Sequence, residues 1–313
     1  MKKYVLVVLS FGFLAQGQMK PDIQKSEIVR IETELASDKM EGRKIFTAGI
    51  DSASAFIENE FVKIGLDYYK NLKNYRQEFE VDDKNANNVI GILPGISKPN
   101  EYVVFSAHYD HLGMNVRYGS KHQNEDKVYN GANDDASGTT AVIALAKYFK
   151  ELNNNERTII FVAFTGEEVG GYGSKYFSQN INADAVIAMF NIEMIGTESK
   201  WDKNSAYITG FEKSDFGTIL QKNLKGSNFN FYEDPYPNEH LFYRSDNATL
   251  AALGVPAHTI STSKMDSEPN YHKKSDEIST LDLDNMIEII KAIAISSESI
   301  ISGKDTPSRV EKL

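Results

Sequence analysis

The chain has 313 residues, 41% of them hydrophobic and 25% charged, and a formal net charge of −10. That length suits one large α/β domain or two small ones with ample core, and the negative balance disfavours binding to DNA or to an anionic membrane surface. The absence of cysteine excludes disulfides, thiolate nucleophiles, iron–sulfur clusters and thiolate zinc sites, so any metal must be held by His, Asp and Glu.

Lys2 and Lys3 precede an apolar run over 4–15 that is too short to span a bilayer comfortably. Together with the small-x-small site Ala15-Gln16-Gly17, it reads as a signal peptide over 1–17, cleaved after Gly17. That predicts a periplasmic or secreted protein, with one domain over 18–313; an uncleaved N-terminal anchor is the alternative. No later segment is long and apolar enough to cross a membrane.

Apolar spacing predicts amphipathic helices over 18–37 and 51–64. Phe79 and Val81 begin an edge region, and 88–93 is a short strand ended by Pro94-Gly95. The run 102–107 is a buried strand, 114–130 a polar surface loop and 141–149 a helix. An apolar strand over 158–164, a helix over 172–178 and another apolar strand over 185–192 follow. Strands near 206–208, 230–232 and 255–260 alternate with helices near 216–224 and 246–253, and 281–302 is a long closing helix. Strands apolar on both faces, alternating with amphipathic helices, indicate a three-layer α/β sandwich. Its central sheet is mixed and mainly parallel, with helices on both faces.

Five segments carry chemistry, and most fall where a strand should end, the place open α/β sheets put their sites. In Ser106-Ala107-His108-Tyr109-Asp110-His111, residues i and i+2 of a strand face the same way. His108 can therefore be a ligand and Asp110 its orienter, whereas His111 points elsewhere if the strand persists and is given no role. Gly131-Ala132-Asn133-Asp134-Asp135-Ala136-Ser137-Gly138 is either a helix cap or a source of a carboxylate that bridges two metals. In Thr165-Gly166-Glu167-Glu168-Val169-Gly170-Gly171, one Glu could bind metal while the other takes a proton from bound water. Glu193, ending another apolar strand, is costly to bury unless paired or metal-bound. Tyr271-His272, in a polar loop, is a weak signal alone. Nitrogen and oxygen donors without sulfur suit zinc first and manganese or cobalt after it, and zinc beside a Glu base is a device for activating water.

Taken together these segments resemble the M28 family of metallopeptidases, the co-catalytic zinc aminopeptidases, over about residues 25–300. The resemblance implies two zinc ions. His108 would bind one and His272 the other, Asp134 would bridge them, and Glu168 would join one zinc and Glu193 the other. Glu167 would be the general base that activates the bridging water, Asp110 would orient His108, and Tyr271 would help stabilise the oxyanion. The Asp134–Asp135 peptide bond resembles one that is cis in the family. Two positions depart from the pattern: Glu193 stands where many members carry Asp, and Arg244-Ser245-Asp246-Asn247 lacks the His that often follows Ser-Asp. The expected activity is removal of N-terminal residues from peptides with a free N-terminus. The alternatives are a single-zinc glutaminyl cyclase-like acyltransferase on the same fold, or another peptidase of this type, a carboxypeptidase or dipeptidase.

Overall fold

The computed structural model describes residues 20–115 and 127–313. The segment read as a signal peptide, and most of the polar loop expected over 114–130, lie outside the described residues. In chain order the elements begin with helices α1 (Lys25–Leu35) and α2 (Ala48–Ile64) and strands β1 (Asp67–Tyr68), β2 (Arg76–Val81), β3 (Lys84–Leu93) and β4 (Lys98–His108). Two short strands, β5 (Gly113–Met114) and β6 (Val128–Tyr129), precede helix α3 (Ser137–Leu152), strand β7 (Arg157–Phe164), helix α4 (Tyr172–Gln179) and strand β8 (Val186–Ile192). Then come β9 (Ser205–Ile208), α5 (Phe216–Asn223), β10 (Asn230–Glu233), α6 (Asn247–Ala252), β11 (Ala257–Ser261) and α7 (Leu283–Ile301).

The main sheet has the order β1-β3-β7-β4-β8-β11-β9-β10, with β2 paired to β3. Its centre, β7-β4-β8-β11, is parallel throughout. Antiparallel pairs join this centre to β3 on one side and to β9 on the other. The expected mixed sheet is therefore parallel where it carries the site.

Side-chain alternation explains why the centre is buried on both faces. On β7, Ile159, Phe161 and Ala163 enter one core while Ile160, Val162 and Phe164 enter the other. Val103, Phe105 and Ala107 of β4, and Ala188, Phe190 and Ile192 of β8, join the first core, because successive strand residues point to opposite faces. Residues of α1, α2, α3, α5 and α7 cover that face, and Phe177 of α4 with Leu250 and Ala251 of α6 cover the other. Phe105 stacks between Phe149, Phe161 and Phe190, with ring centroids 4.8–5.8 Å apart, so the middle of the sheet is tied by aromatic contact to α3.

The parallel register brings His108 level with Phe164, and Ser106 level with Asn191. The carboxyl ends of β4, β7 and β8 thus open at one edge. Helix α3 starts at the same edge. Gly138, in its first turn, has no room for a side chain: a Cβ there would lie 2.1 Å from the Ile192 carbonyl oxygen and 2.5 Å from the Asp135 carboxylate. This close approach sets the first turn of α3 directly against the end of β8.

Candidate metal centre

Asp134 is the hub of the site. It sits in the segment Ala132–Ala136 just before α3, and its peptide bond to Asp135 is cis, as the resemblance implied. Asp134 and Asp135 do different work. The fully buried Asp135 carboxylate accepts the backbone N–H groups of His108, Gly138 and Met194 at 3.0–3.3 Å, which ties β4, α3 and the end of β8 together. Asp134 instead meets imidazoles: one oxygen lies 3.2 Å from His108 Nε2, and the other 3.3 Å from His272 Nε2 and 3.8 Å from His111 Nδ1.

Glu168 completes this cluster. Its two carboxylate oxygens lie 2.8 Å from His111 Nδ1 and 3.1 Å from His272 Nε2. Three of these contacts lack hydrogen-bond geometry: His108 Nε2, His111 Nδ1, one oxygen of Asp134 and one of Glu168 are buried with no hydrogen-bond partner. Two ligand atoms held about 2.1 Å from one tetrahedral zinc lie about 3.4 Å apart. The His108–Asp134 and His272–Asp134 pairs, at 3.2 and 3.3 Å with no N–H aimed at oxygen, approach this spacing and fit shared cations, and the His111–Glu168 pair is tighter at 2.8 Å. Among the described residues, His111, Asp134 and Glu168 form one compact group, with a ligand atom from each inside 4.8 Å of the others.

His108 is prepared for such a role. Its Nδ1 lies 3.1 Å from the Asp110 carbonyl oxygen, so an Nδ1–H donated there leaves the Nε2 lone pair facing Asp134. The Asp110 carboxylate is 3.8 Å from Nδ1 and is occupied elsewhere, accepting the backbone N–H groups of Glu167 and Glu168 at 3.1 and 3.3 Å. The expectation that the Asp110 side chain orients His108 is thus corrected in detail. Strand β4 stops at His108, so the i, i+2 alternation does not extend to Asp110, and its carboxylate holds the glutamate turn instead. That turn is made possible by Gly166 at φ +76°, and it directs both acids to the site.

Strand alternation, had it persisted, would have turned His111, to which the sequence assigned no role, away from the cluster. The strand ends three residues earlier, and the ring is buried against Asp134 and Glu168. A signal was present in the sequence: the chain has only six histidines, and two fall within four residues at a predicted strand end. Two further supports escape sequence reasoning. Asp276 accepts the backbone N–H groups of Asn133 and Asp134 at 2.9 and 3.0 Å. Arg43, fully buried, donates to the carbonyl oxygens of Leu35, Tyr109, Asn130 and Gly131 at 2.6–2.9 Å. It laces the loop after β4 to the loop before Asp134.

The remaining expected residues border the same cleft. Glu167, Glu193, Tyr271 and His272 line it with Asp134 and Glu168. Glu193 follows β8, donates its backbone N–H to Ile260, and has one buried carboxylate oxygen without a partner. Tyr271 is partly exposed, its ring stacked on His272 with centroids 3.9 Å apart.

Electrostatics separates the acids into two groups. Burial opposes the charge on Asp134 and Glu168, yet the histidines outweigh it: His108 and His272 hold Asp134 well below its usual range, and His111 and His272 lower Glu168. The Asp134 and Glu168 carboxylates in turn push His272 up to about 10. Burial raises Glu193, and pushes Glu167 up to about 10, with Glu193, Asp246 and Asp110 adding to the effect. A cluster of this kind calls for positive charge.

Comparison with known proteins agrees with this reading. The sequence model of peptidase family M28 matches residues 88–296, about two thirds of the chain. A protein from Trichophyton verrucosum named "probable leucine aminopeptidase" is 26% identical over 214 residues, covering 65% of this chain and 54% of that protein. The chain thus spans about half the length of that relative. Among solved structures, a zinc aminopeptidase from Bacillus subtilis superposes with a TM-score of 0.71 at 13% identity, covering 92% of this chain and 98% of its own. A Porphyromonas gingivalis glutaminyl cyclase superposes with a TM-score of 0.69 at 15% identity, covering 90% and 100%. These superpositions establish the three-layer α/β fold, which the aminopeptidase and the cyclase share.

Proposed function

This chain belongs to peptidase family M28, and we propose that it is a two-zinc exopeptidase that removes residues from the free N-terminus of peptides. The observation that carries the reading is the convergence of two imidazole nitrogens on the two carboxylate oxygens of Asp134 at 3.2–3.3 Å, with no hydrogen bond between them. In this reading His108, Asp134 and Glu193 would hold one zinc, and Asp134, Glu168 and His272 would hold the other. Zinc so placed would polarise the scissile carbonyl and acidify water.

The chain's own groups then divide the work. Glu167 accepts a proton from the attacking water as its oxygen bonds to the carbonyl carbon. It returns that proton to the amine nitrogen as the C–N bond breaks. Burial pushes Glu167 up to about 10, and positive charge held by the cluster would lower it toward the working range of a base. The Tyr271 hydroxyl, raised above its usual value by burial first and then by Asp134 and Glu168, stays protonated and can donate to the oxyanion. Asp110 fixes the Glu167-Glu168 backbone and, through its carbonyl, the His108 ring. The segment 1–17, read as a signal peptide, would make the enzyme periplasmic or secreted.

Single-zinc acyl transfer, the alternative on this fold, needs three protein ligands, fewer than the cluster supplies. The reading is tested with aminoacyl chromogenic substrates beside their N-acetylated forms. Chelation should abolish hydrolysis of the free-amine substrates, zinc should restore it, and the blocked substrates should resist throughout. Hydrolysis indifferent to chelation, or equal on blocked substrates, would remove the proposal.

A further inference from the structure

We propose that His111 is a metal ligand in its own right, a fourth protein donor to the zinc held by Asp134, Glu168 and His272. The inference deepens the two-zinc reading and rests on it. His111 is 1% exposed, and its Nδ1 lies 2.8 Å from one oxygen of Glu168 and 3.8 Å from one oxygen of Asp134. At 2.8 Å an aimed N–H would make a strong hydrogen bond, yet His111 Nδ1 and that Glu168 oxygen both lack a hydrogen-bond partner. Ligand atoms of His111, Glu168 and Asp134 all lie within 4.8 Å of one another, close enough to share one cation. The opposite oxygen of Glu168 faces His272 Nε2 at 3.1 Å, so the carboxylate is flanked by two imidazoles whose rings stand edge-on, 5.9 Å apart at 66°.

The fold is built to bring this ring in. The backbone N–H of His111 donates to the Arg43 carbonyl oxygen at 3.2 Å. Gly131, at φ +53°, lies beneath the imidazole, where a Cβ would sit 2.5 Å from His111 Cγ and 2.3 Å from the Asp134 carbonyl oxygen. A side chain at Gly131 would displace either the ring or the Asp134 backbone. Arg43 also holds the Gly131 carbonyl, so one buried guanidinium fixes both the loop bearing His111 and the glycine that admits it.

Four donors from the protein close a tetrahedral zinc site, whereas three leave a position for substrate or water. The two metals would then differ: the one near His111 is the more firmly held, and the open position belongs to the one near His108.

The test compares wild type with His111→Gln and His111→Glu, loaded with zinc and with cobalt. The readouts are zinc stoichiometry, chelator-competition affinities and the visible cobalt spectrum. Gln keeps a hydrogen-bond donor for Glu168 but loses the imidazole, while Glu offers a ligand oxygen that only a cation makes tolerable beside Glu168. Loss of partners that merely orient a ligand costs 10–100-fold in affinity. The proposal therefore expects His111→Gln to weaken one of the two zinc ions by more than about 100-fold, leave the other unchanged and alter the cobalt bands. It expects His111→Glu to bind that ion more tightly than His111→Gln. Two zinc ions in His111→Gln with unchanged affinities, or His111→Glu binding no better than His111→Gln, overturns the role of His111 and leaves the two-zinc reading standing. A wild-type chain that holds fewer than two zinc ions overturns both. Melting of the metal-free variants beside metal-free wild type separates loss of a ligand from loss of fold.

Discussion

Replacing Glu32 by Gln should stabilise the protein, and by an amount that grows with pH. Glu32 lies on α1, fully buried against α3, where one carboxylate oxygen accepts the Thr140 hydroxyl at 2.8 Å and the other has no partner. Burial pushes its carboxyl from 4.5 up to about 8, although Thr140 and the buried Arg43 favour the charge. The folded state therefore holds a proton that the unfolded chain releases, and stability falls as pH rises between 4.5 and about 8. Below that window both states are protonated and no cost arises. Each tenfold difference in proton affinity between the folded and unfolded chain is worth about 1.4 kcal/mol. The penalty is then about 1 kcal/mol at pH 5, about 3 at pH 7 and about 5 at pH 9, to order of magnitude. Gln is neutral at every pH and keeps an acceptor for Thr140, so it should escape the penalty. Urea unfolding of both proteins at pH 5, 7 and 9, in the same zinc, gives the difference directly, with metal linkage common to both. A gap between variant and wild type that stays constant with pH, or that narrows as pH rises, would show that Glu32 carries no such penalty.

Glu167→Gln should lower kcat by about 10²–10⁴-fold with both metals retained, read by steady-state kinetics beside metal analysis; unchanged turnover would remove Glu167 as the base. Asp276→Asn keeps one acceptor but cannot satisfy both N–H groups of Asn133 and Asp134, and should weaken zinc by about 10–100-fold in chelator competition. Gly138→Ala should cost about 1–3 kcal/mol or more in urea unfolding, since its Cβ meets fixed backbone at the end of β8. Arg43→Lys should destabilise the fold and loosen zinc together, because an ammonium cannot reach four carbonyls spread over the end of α1 and two loops; zinc affinity unaltered by this change would show that the loops hold without the guanidinium.

The parallel centre of the fold was legible because its strands are apolar without interruption. Arg157–Phe164, buried along its whole length, and Val186–Ile192 announce themselves, and their carboxyl ends then locate Glu167, Glu168 and Glu193. The β2–β3 hairpin was only partly legible. Its turn uses Asp82 and Asp83, both at positive φ, a two-residue turn for which glycine or asparagine is the usual mark. Its second strand opens Lys84-Asn85-Ala86-Asn87-Asn88, polar residues that read as loop until pairing with β2 is known. Within the site, Asp134 and His272 were legible as neighbours only through the family resemblance, since the residues alone do not show how Asp276 draws the last loop under Asn133. His111 and Arg43 were hidden for opposite reasons. The end of β4 decides where His111 points, and the worth of Arg43 lies entirely in backbone carbonyls, which carry no sequence signature.

A two-zinc centre that acts on free N-termini makes activity a function of zinc content, and that function can be measured. Chelated protein is titrated with zinc while leucyl chromogenic hydrolysis and bound metal are followed together. Full activity should be reached only as the second zinc per chain binds, with the N-acetylated substrate untouched at every point. A plateau at one zinc per chain, or hydrolysis already complete before any zinc is returned, would contradict the two-zinc mechanism.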